Sequence, residues 1–124
     1  MPLALIALGG AAGAVSRYLV DLLVTERFGA SFPLGTLLVN LSGSFVLGLL
    51  YALAIEKARL PADIRYPAFI GFLGAYTTFS SLTLESWRLI EAGSLATGLA
   101  YLLGSVALGV VVVVAGLALG RALA

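Results

Sequence analysis

The sequence predicts an all-α integral membrane protein of four transmembrane helices, the third of them broken in mid-membrane. Three observations carry this. Of 124 residues, 61% are hydrophobic and 10% are charged, against roughly 25% charged in a soluble domain. The apolar residues gather into runs long enough to cross a bilayer, which takes about 20 residues. One of those runs holds Gly71-Phe72-Leu73-Gly74-Ala75-Tyr76-Thr77-Thr78-Phe79-Ser80-Ser81-Leu82-Thr83-Leu84-Glu85. Two glycines, five hydroxyl residues and a carboxylate are costly in lipid unless they face a cavity, a partner or a substrate path. The glycines allow an interruption, which a membrane tolerates where the backbone is buried in protein or lines water.

The chain reads as one domain, 1–124, with spans at about 3–24, 33–55, 66–90 and 94–119. The links between them are too short for a soluble domain. The net charge of +1 argues against nucleic acid. Histidine and cysteine are absent, which removes disulfides, thiolate nucleophiles and Ser-His-Asp catalysis. No acid–base constellation for an enzyme is left. The first run lacks the basic front and cleavage site of a signal peptide, so it is expected to be a permanent span.

Span one places Ser16-Arg17-Tyr18 and Asp21 toward its end. Arg17 either snorkels or pairs structurally, or charges a water-filled mouth. Gly9, Gly10 and Gly13 supply small residues for close helix packing. Pro33 suits the start of span two, where a missing N–H costs little. Thr36, Asn40, Ser44 and Gly48 then recur every four residues and share one face. The Asn40 amide needs partners, as interhelical glue or as a ligand group; the neighbouring stripes favour a ligand role. Pro61 leads into span three, where Thr77, Ser81 and Glu85 follow at four-residue steps with Thr78 beside them. One or two such hydroxyls fit back-bonding to their own carbonyls; five within seven residues strain that account. Phe79, taken alone, fits simple packing. Span four repeats the spacing with Thr97, Tyr101, Ser105 and Gly109. Gly116 and Gly120 read as a packing pair.

Three spans thus present neutral hydrogen-bonding groups that can replace the water shell of a small ion. A ring edge at Phe79 carries positive quadrupole density and suits an anion. Hydroxyls serve either sign, so polarity alone leaves anion and cation both open. A break near Gly74 would expose a half-helix end and free carbonyls, a device that binds ions in transporters. Four helices are too few to enclose most pores, so a homodimer is expected. With the N-terminus inside, Lys57, Arg59, Arg65 and Arg121 lie inside and Arg27 and Arg88 outside. That is a weak positive-inside bias, compatible with one orientation or with insertion both ways.

The motifs Gly9-Gly10-(x)2-Gly13-Ala14-(x)2-Arg17-Tyr18, Gly35-Thr36-(x)2-Val39-Asn40-(x)2-Gly43 and Gly71-Phe72-Leu73-Gly74-(x)2-Thr77-Thr78-Phe79-Ser80, in this order over nearly the whole chain, resemble the CrcB/Fluc fluoride channel family. The resemblance implies an antiparallel, dual-topology homodimer in the bacterial inner membrane that exports fluoride passively through two pathways. It implies that Asn40 lines the entrance of the fluoride path and that Phe79 meets the ion with its ring edge. Thr78, Ser81 and Thr36 extend the polar track, Tyr101 and Ser105 supply the fourth span's tyrosine and serine, and Arg17 stands near the vestibule. The carbonyls of Gly74 and Thr77 match a central structural sodium site shared by both subunits. One position departs: Leu82 stands where the family commonly has a second pore phenylalanine. Glu85 is expected at an interfacial end, near Trp87 and Arg88. A small multidrug-type antiporter would need an embedded carboxylate in span one, where Asp21 lies close to the end. A scaffold subunit would need no aligned polar stripes.

Overall fold

The computed structural model describes residues 2–123, so the two terminal positions of the expected domain lie outside it. Helix α1 spans Pro2–Phe28. Helix α2 spans Leu34–Tyr51 and runs on through a wider π-helical turn, Ala52–Glu56. A short 3-10 turn, Ala62–Ile64, follows. Helix α3 consists of π-helical Tyr66–Leu73 and one α-turn, Gly74–Tyr76. Helix α4 spans Phe79–Glu91 and α5 spans Leu95–Ala122. Among the described residues there is no strand.

Three helices, Pro2–Phe28, Leu34–Glu56 and Leu95–Ala122, are long and apolar enough to cross a membrane. At 1.5 Å per residue α1 and α5 are each about 40 Å long, beyond the roughly 30 Å of a hydrocarbon core. The third run, expected to be a broken helix, is two half-helices, α3 and α4, in series.

Pro33 occupies the N-cap of α2, as its ring geometry favours. Positive backbone φ falls on Gly29 and Gly93, just past the ends of α1 and α4, where glycine closes a helix without a Cβ penalty. Helix α2 packs most extensively on α5, and α1 packs on α3. Both contacts depend on missing side chains. A Cβ at Gly9 or Gly13 would strike the backbone of Pro67 or Phe72, and one at Gly116 would strike Phe45 O and sit 2.9 Å from Leu49 N. The small-residue faces on spans one and four are therefore packing faces, as their spacing predicts. At one end of the bundle, Arg121 forks onto Glu56 with two 2.8 Å hydrogen bonds, joining the ends of α2 and α5.

The break differs in place from the expected one. Gly74 is helical, at φ −63° and ψ −35°. The chain opens three residues later, with Thr77 at φ −81°, ψ 155° and Thr78 at φ −146°, ψ 116°. Both are extended conformations that any residue adopts, so glycine's freedom is not what opens the helix. Side-chain hydrogen bonds are.

Candidate functional site

The site is built around those two threonines. Thr78 is the N-cap of α4: its hydroxyl oxygen accepts the Ser81 N–H at 3.2 Å, which satisfies one of the helix's orphan donors. The Asn40 amide, on α2, grips Thr78 from the other side. Asn40 Oδ1 accepts the Thr78 N–H at 2.8 Å, and Asn40 Nδ2 donates to Thr78 O at 3.1 Å. Arg17, on α1, donates from Nε to Ala75 O at 3.1 Å. A cation there also complements the negative end of the α3 half-helix. Thr77 back-bonds from its hydroxyl to Leu73 O at 2.9 Å. Ser42 and Tyr76 share a 2.9 Å hydroxyl contact.

Two cavities meet at Thr78. A groove of about 540 Å³ is lined by Asn40, Ser44, Gly74, Thr77, Thr78, Phe79, Leu82, Ser105 and the valines of α5. A smaller cavity of about 100 Å³ is lined by Arg17, Tyr18, Asp21, Thr36, Val39, Thr78, Ser81 and Glu85. Asp21 and Glu85 also line a mouth of about 380 Å³ that includes Arg88 and Ser31. The groove and the small cavity thus share Thr78, and the small cavity and the mouth share Asp21 and Glu85.

Glu85 organises the far part of that series. Thr36 Oγ1 donates to one carboxylate oxygen at 3.0 Å and Tyr101 OH to the other at 3.1 Å. Thr36 and Tyr101 are buried, and the Tyr101 ring meets Phe32 edge-on at 5.3 Å. Ser105 is buried with 8% of its surface exposed. Its Oγ has no hydrogen-bond partner; among the described residues, Arg65 Nε is the other buried side-chain atom in that condition. Ser105 lies where the large groove adjoins a second apolar cavity of about 410 Å³ beside Tyr101.

Residues 4–117 match the family described as CrcB-like protein, Camphor Resistance (CrcB). The chain belongs to the CrcB family. A protein of Hahella chejuensis named fluoride-specific ion channel FluC is 51% identical over 116 residues, covering 94% of this chain and 91% of its own length. Another of that name, from Rhizobium meliloti, is 45% identical over 119 residues, covering 96% and 95%.

Within this CrcB chain, the residues singled out from sequence divide between two cavities. The groove gathers Asn40, Thr78, Phe79, Ser105, Gly74 and Thr77. The smaller cavity gathers Arg17, Thr36, Ser81 and, again, Thr78. Tyr101 lines neither; it borders the apolar cavity and reaches Glu85. Phe79 stands 75% exposed at the groove, whereas Leu82, three residues on, is 6% exposed and closes the groove's wall. Arg17 both pairs with Ala75 O and lines the small cavity. Asp21 lies near the end of α1, against Gly35 of α2, and lines the small cavity and the mouth.

Glu85 is the residue whose part sequence reasoning missed. The expectation of an interfacial end, paired or solvated and near Arg88, agrees with its place in the mouth beside Arg88, but its two hydroxyl partners, Thr36 and Tyr101, were not foreseen. The signal was present: Ser81 and Glu85 are one turn apart on α4, and each of the other two polar stripes carries a hydroxyl, Thr36 and Tyr101, that needs an acceptor.

Proposed function

We propose that this chain is the subunit of a fluoride-selective channel that lets fluoride leave the cytoplasm passively across a bacterial inner membrane. Relatives at 51% and 45% identity bear the name fluoride-specific ion channel. The observation that carries the reading to this molecule is Ser105. A hydroxyl buried without a partner costs free energy, and Ser105 borders the groove that holds Asn40, Thr78 and Phe79. Such an orphan donor is accounted for by an acceptor ligand that comes and goes.

The donors suit a small halide. Asn40 Nδ2 spends one hydrogen on Thr78 O and keeps a second. Thr78 accepts from Ser81 N, and its own proton has no nearer side-chain partner than Ser80 Oγ at 3.5 Å. Ser81 and Ser105 add two more hydroxyls, and Phe79 adds a ring edge. Together they replace a hydration shell without a fixed cation deep enough to trap the ion. Arg17 and Arg88 supply positive charge farther along.

A second copy, antiparallel and of dual topology, completes the pathway in this reading. Phe79 is largely exposed and the groove beside it is open on one side, which a partner would close. The carbonyls of Gly74 and Thr77 would hold a sodium ion at the centre of that dimer. Their fit is tested by their donors: the N–H groups four residues on, at Thr78 and Ser81, go instead to Asn40 and to the Thr78 hydroxyl. Unwound carbonyls at a half-helix end are suitable sodium ligands. When bound, the ion would contribute fixed positive charge between the two subunits.

The test is efflux from vesicles reconstituted with the purified protein and loaded with fluoride or chloride. The expected result is fluoride release with chloride retained, lost in Asn40→Ala and in Phe79→Ala. Fluoride trapped by a folded dimer, or chloride released as fast, refutes the proposal.

A further inference from the structure

In an unbroken α-helix every N–H reaches the carbonyl four residues back. Thr78 N would bond Gly74 O, and Ser81 N would bond Thr77 O. Neither bond forms here. Thr78 N donates to Asn40 Oδ1 at 2.8 Å and Ser81 N to Thr78 Oγ1 at 3.2 Å. The neighbouring carbonyls are spoken for: Leu73 O accepts from Thr77 N and Thr77 Oγ1, and Ala75 O accepts from Arg17. Gly74 O and Thr77 O are thus stripped of their helical donors, as is Tyr76 O between them, since the break leaves it without the Ser80 N–H.

Asn40 is the cause on the Gly74 side. Its amide lies against the Thr78 peptide and takes both the N–H and the C=O, as a neighbouring β-strand would. That grip holds Thr78 extended, and an extended Thr78 is what can serve as the N-cap that draws Ser81 N away from Thr77 O. Gly43, three residues beyond Asn40, gives the break room: a Cβ there would strike Thr77 Cγ2 and lie 3.1 Å from Tyr76 Cδ2. One face of α2 carries both the grip and the clearance.

We infer that Asn40 is a positioning residue for a cation site, keeping the Gly74 and Thr77 carbonyls free of the helix so that they can bind sodium. This rests on the proposed central sodium and goes beyond it. Removing the Asn40 amide, which contributes no carbonyl to the cage, lets Thr78 N return to Gly74 O and closes the site. Anion passage and cation binding are then linked through one side chain.

The test is a sodium titration of the purified full-length protein at constant ionic strength, with N-methylglucamine as the replacement cation. Melting temperature and hydrogen exchange at the Thr78 and Ser81 amides are read together. The wild type is expected to gain stability with a saturable sodium midpoint. Asn40→Ala should shift that midpoint upward at least tenfold and change the exchange rate at Thr78. Asn40→Leu, close in volume and lacking the amide, should do the same if the alanine variant does not fold. Phe79→Ala makes none of these bonds and should keep the wild-type midpoint while losing fluoride flux. A wild-type midpoint in Asn40→Ala or Asn40→Leu overturns the inference. A wild type indifferent to sodium removes the sodium reading itself, and the inference with it; fluoride efflux from the same preparation separates that failure from a failure of the channel reading.

Discussion

Glu85 should be bound to the bundle chiefly by Thr36 and Tyr101, and a double-mutant cycle can measure this. Thr36 is 6% exposed and Tyr101 3%, so water competes little for either hydroxyl. A hydrogen bond to a charged group contributes about 1.5–3 kcal/mol. Thr36→Val keeps the side-chain shape and removes the 3.0 Å bond to the carboxylate. The expected loss is that same 1.5–3 kcal/mol, or about 6–12 °C in melting temperature at about 4 °C per kcal/mol. In a Glu85→Leu background, where no acceptor is left, Thr36→Val should cost much less. The coupling between the two sites should then exceed about 0.5 kcal/mol, the lower bound for residues in contact. Thr83→Val is the control, since that hydroxyl bonds Ser80 O within its own helix and should show no coupling to Glu85→Leu. Additive losses from Thr36→Val and Glu85→Leu would refute the reasoning, because they would mean that the two groups do not share a bond.

Three further outcomes follow from the geometry. Leu82→Phe should raise fluoride flux in vesicles, because it adds a second ring edge to a groove of about 540 Å³ that has space for it; an unchanged rate would mean that the second ring is dispensable. Gly116→Ala should cost about 1–3 kcal/mol, the usual range for overpacking, since its Cβ meets backbone of α2. Gly104→Ala, where a Cβ meets nothing within 4 Å, should melt with the wild type, and equal losses for the two would discredit the packing argument. Arg121→Gln should leave both flux and melting temperature unchanged within error, because the Arg121–Glu56 pair is solvent-exposed and such pairs contribute little; a clear loss of melting temperature would show that the fork holds α5 to α2.

Much of the fold was legible because membranes impose simple rules. Apolar runs of sufficient length marked α1, α2 and α5, and glycines at close spacing marked the faces that pack. The stripes on spans two, three and four also marked the side chains that matter, while leaving open what they meet: Thr36 and Asn40 both reach span three, and Tyr101 reaches it from span four. The place of the break was less legible. Glycine content pointed to Gly74, but the opening depends on a long-range bond between Asn40 and Thr78, 38 residues apart in sequence. Periodicity within one segment carries no information about such a bond. The same limit hid Glu85, whose environment is made by two other helices.

In the proposed channel, the Glu85 network also bears on which donors a passing anion would meet. The hydroxyls of Thr36 and Tyr101 point their protons at the carboxylate, so neither is free to solvate a passing halide while Glu85 is ionised. The donors left are the second Asn40 N–H and the hydroxyls of Thr78, Ser81 and Ser105, with the Phe79 edge. All but Ser81 line the large groove, and Thr78 joins that groove to the small cavity. An anion crossing at Thr78 next meets a space of about 100 Å³ with Arg17 on one side and Glu85 on another. A narrow space would favour the halide that is smallest and binds protons most strongly, and Arg17 and Glu85, of opposite charge, would offset each other's field on it. In the proposed channel, the donors that would bind the anion therefore lie mainly on the groove side of Thr78, and the narrow space that would sort halides by size lies on the Glu85 side.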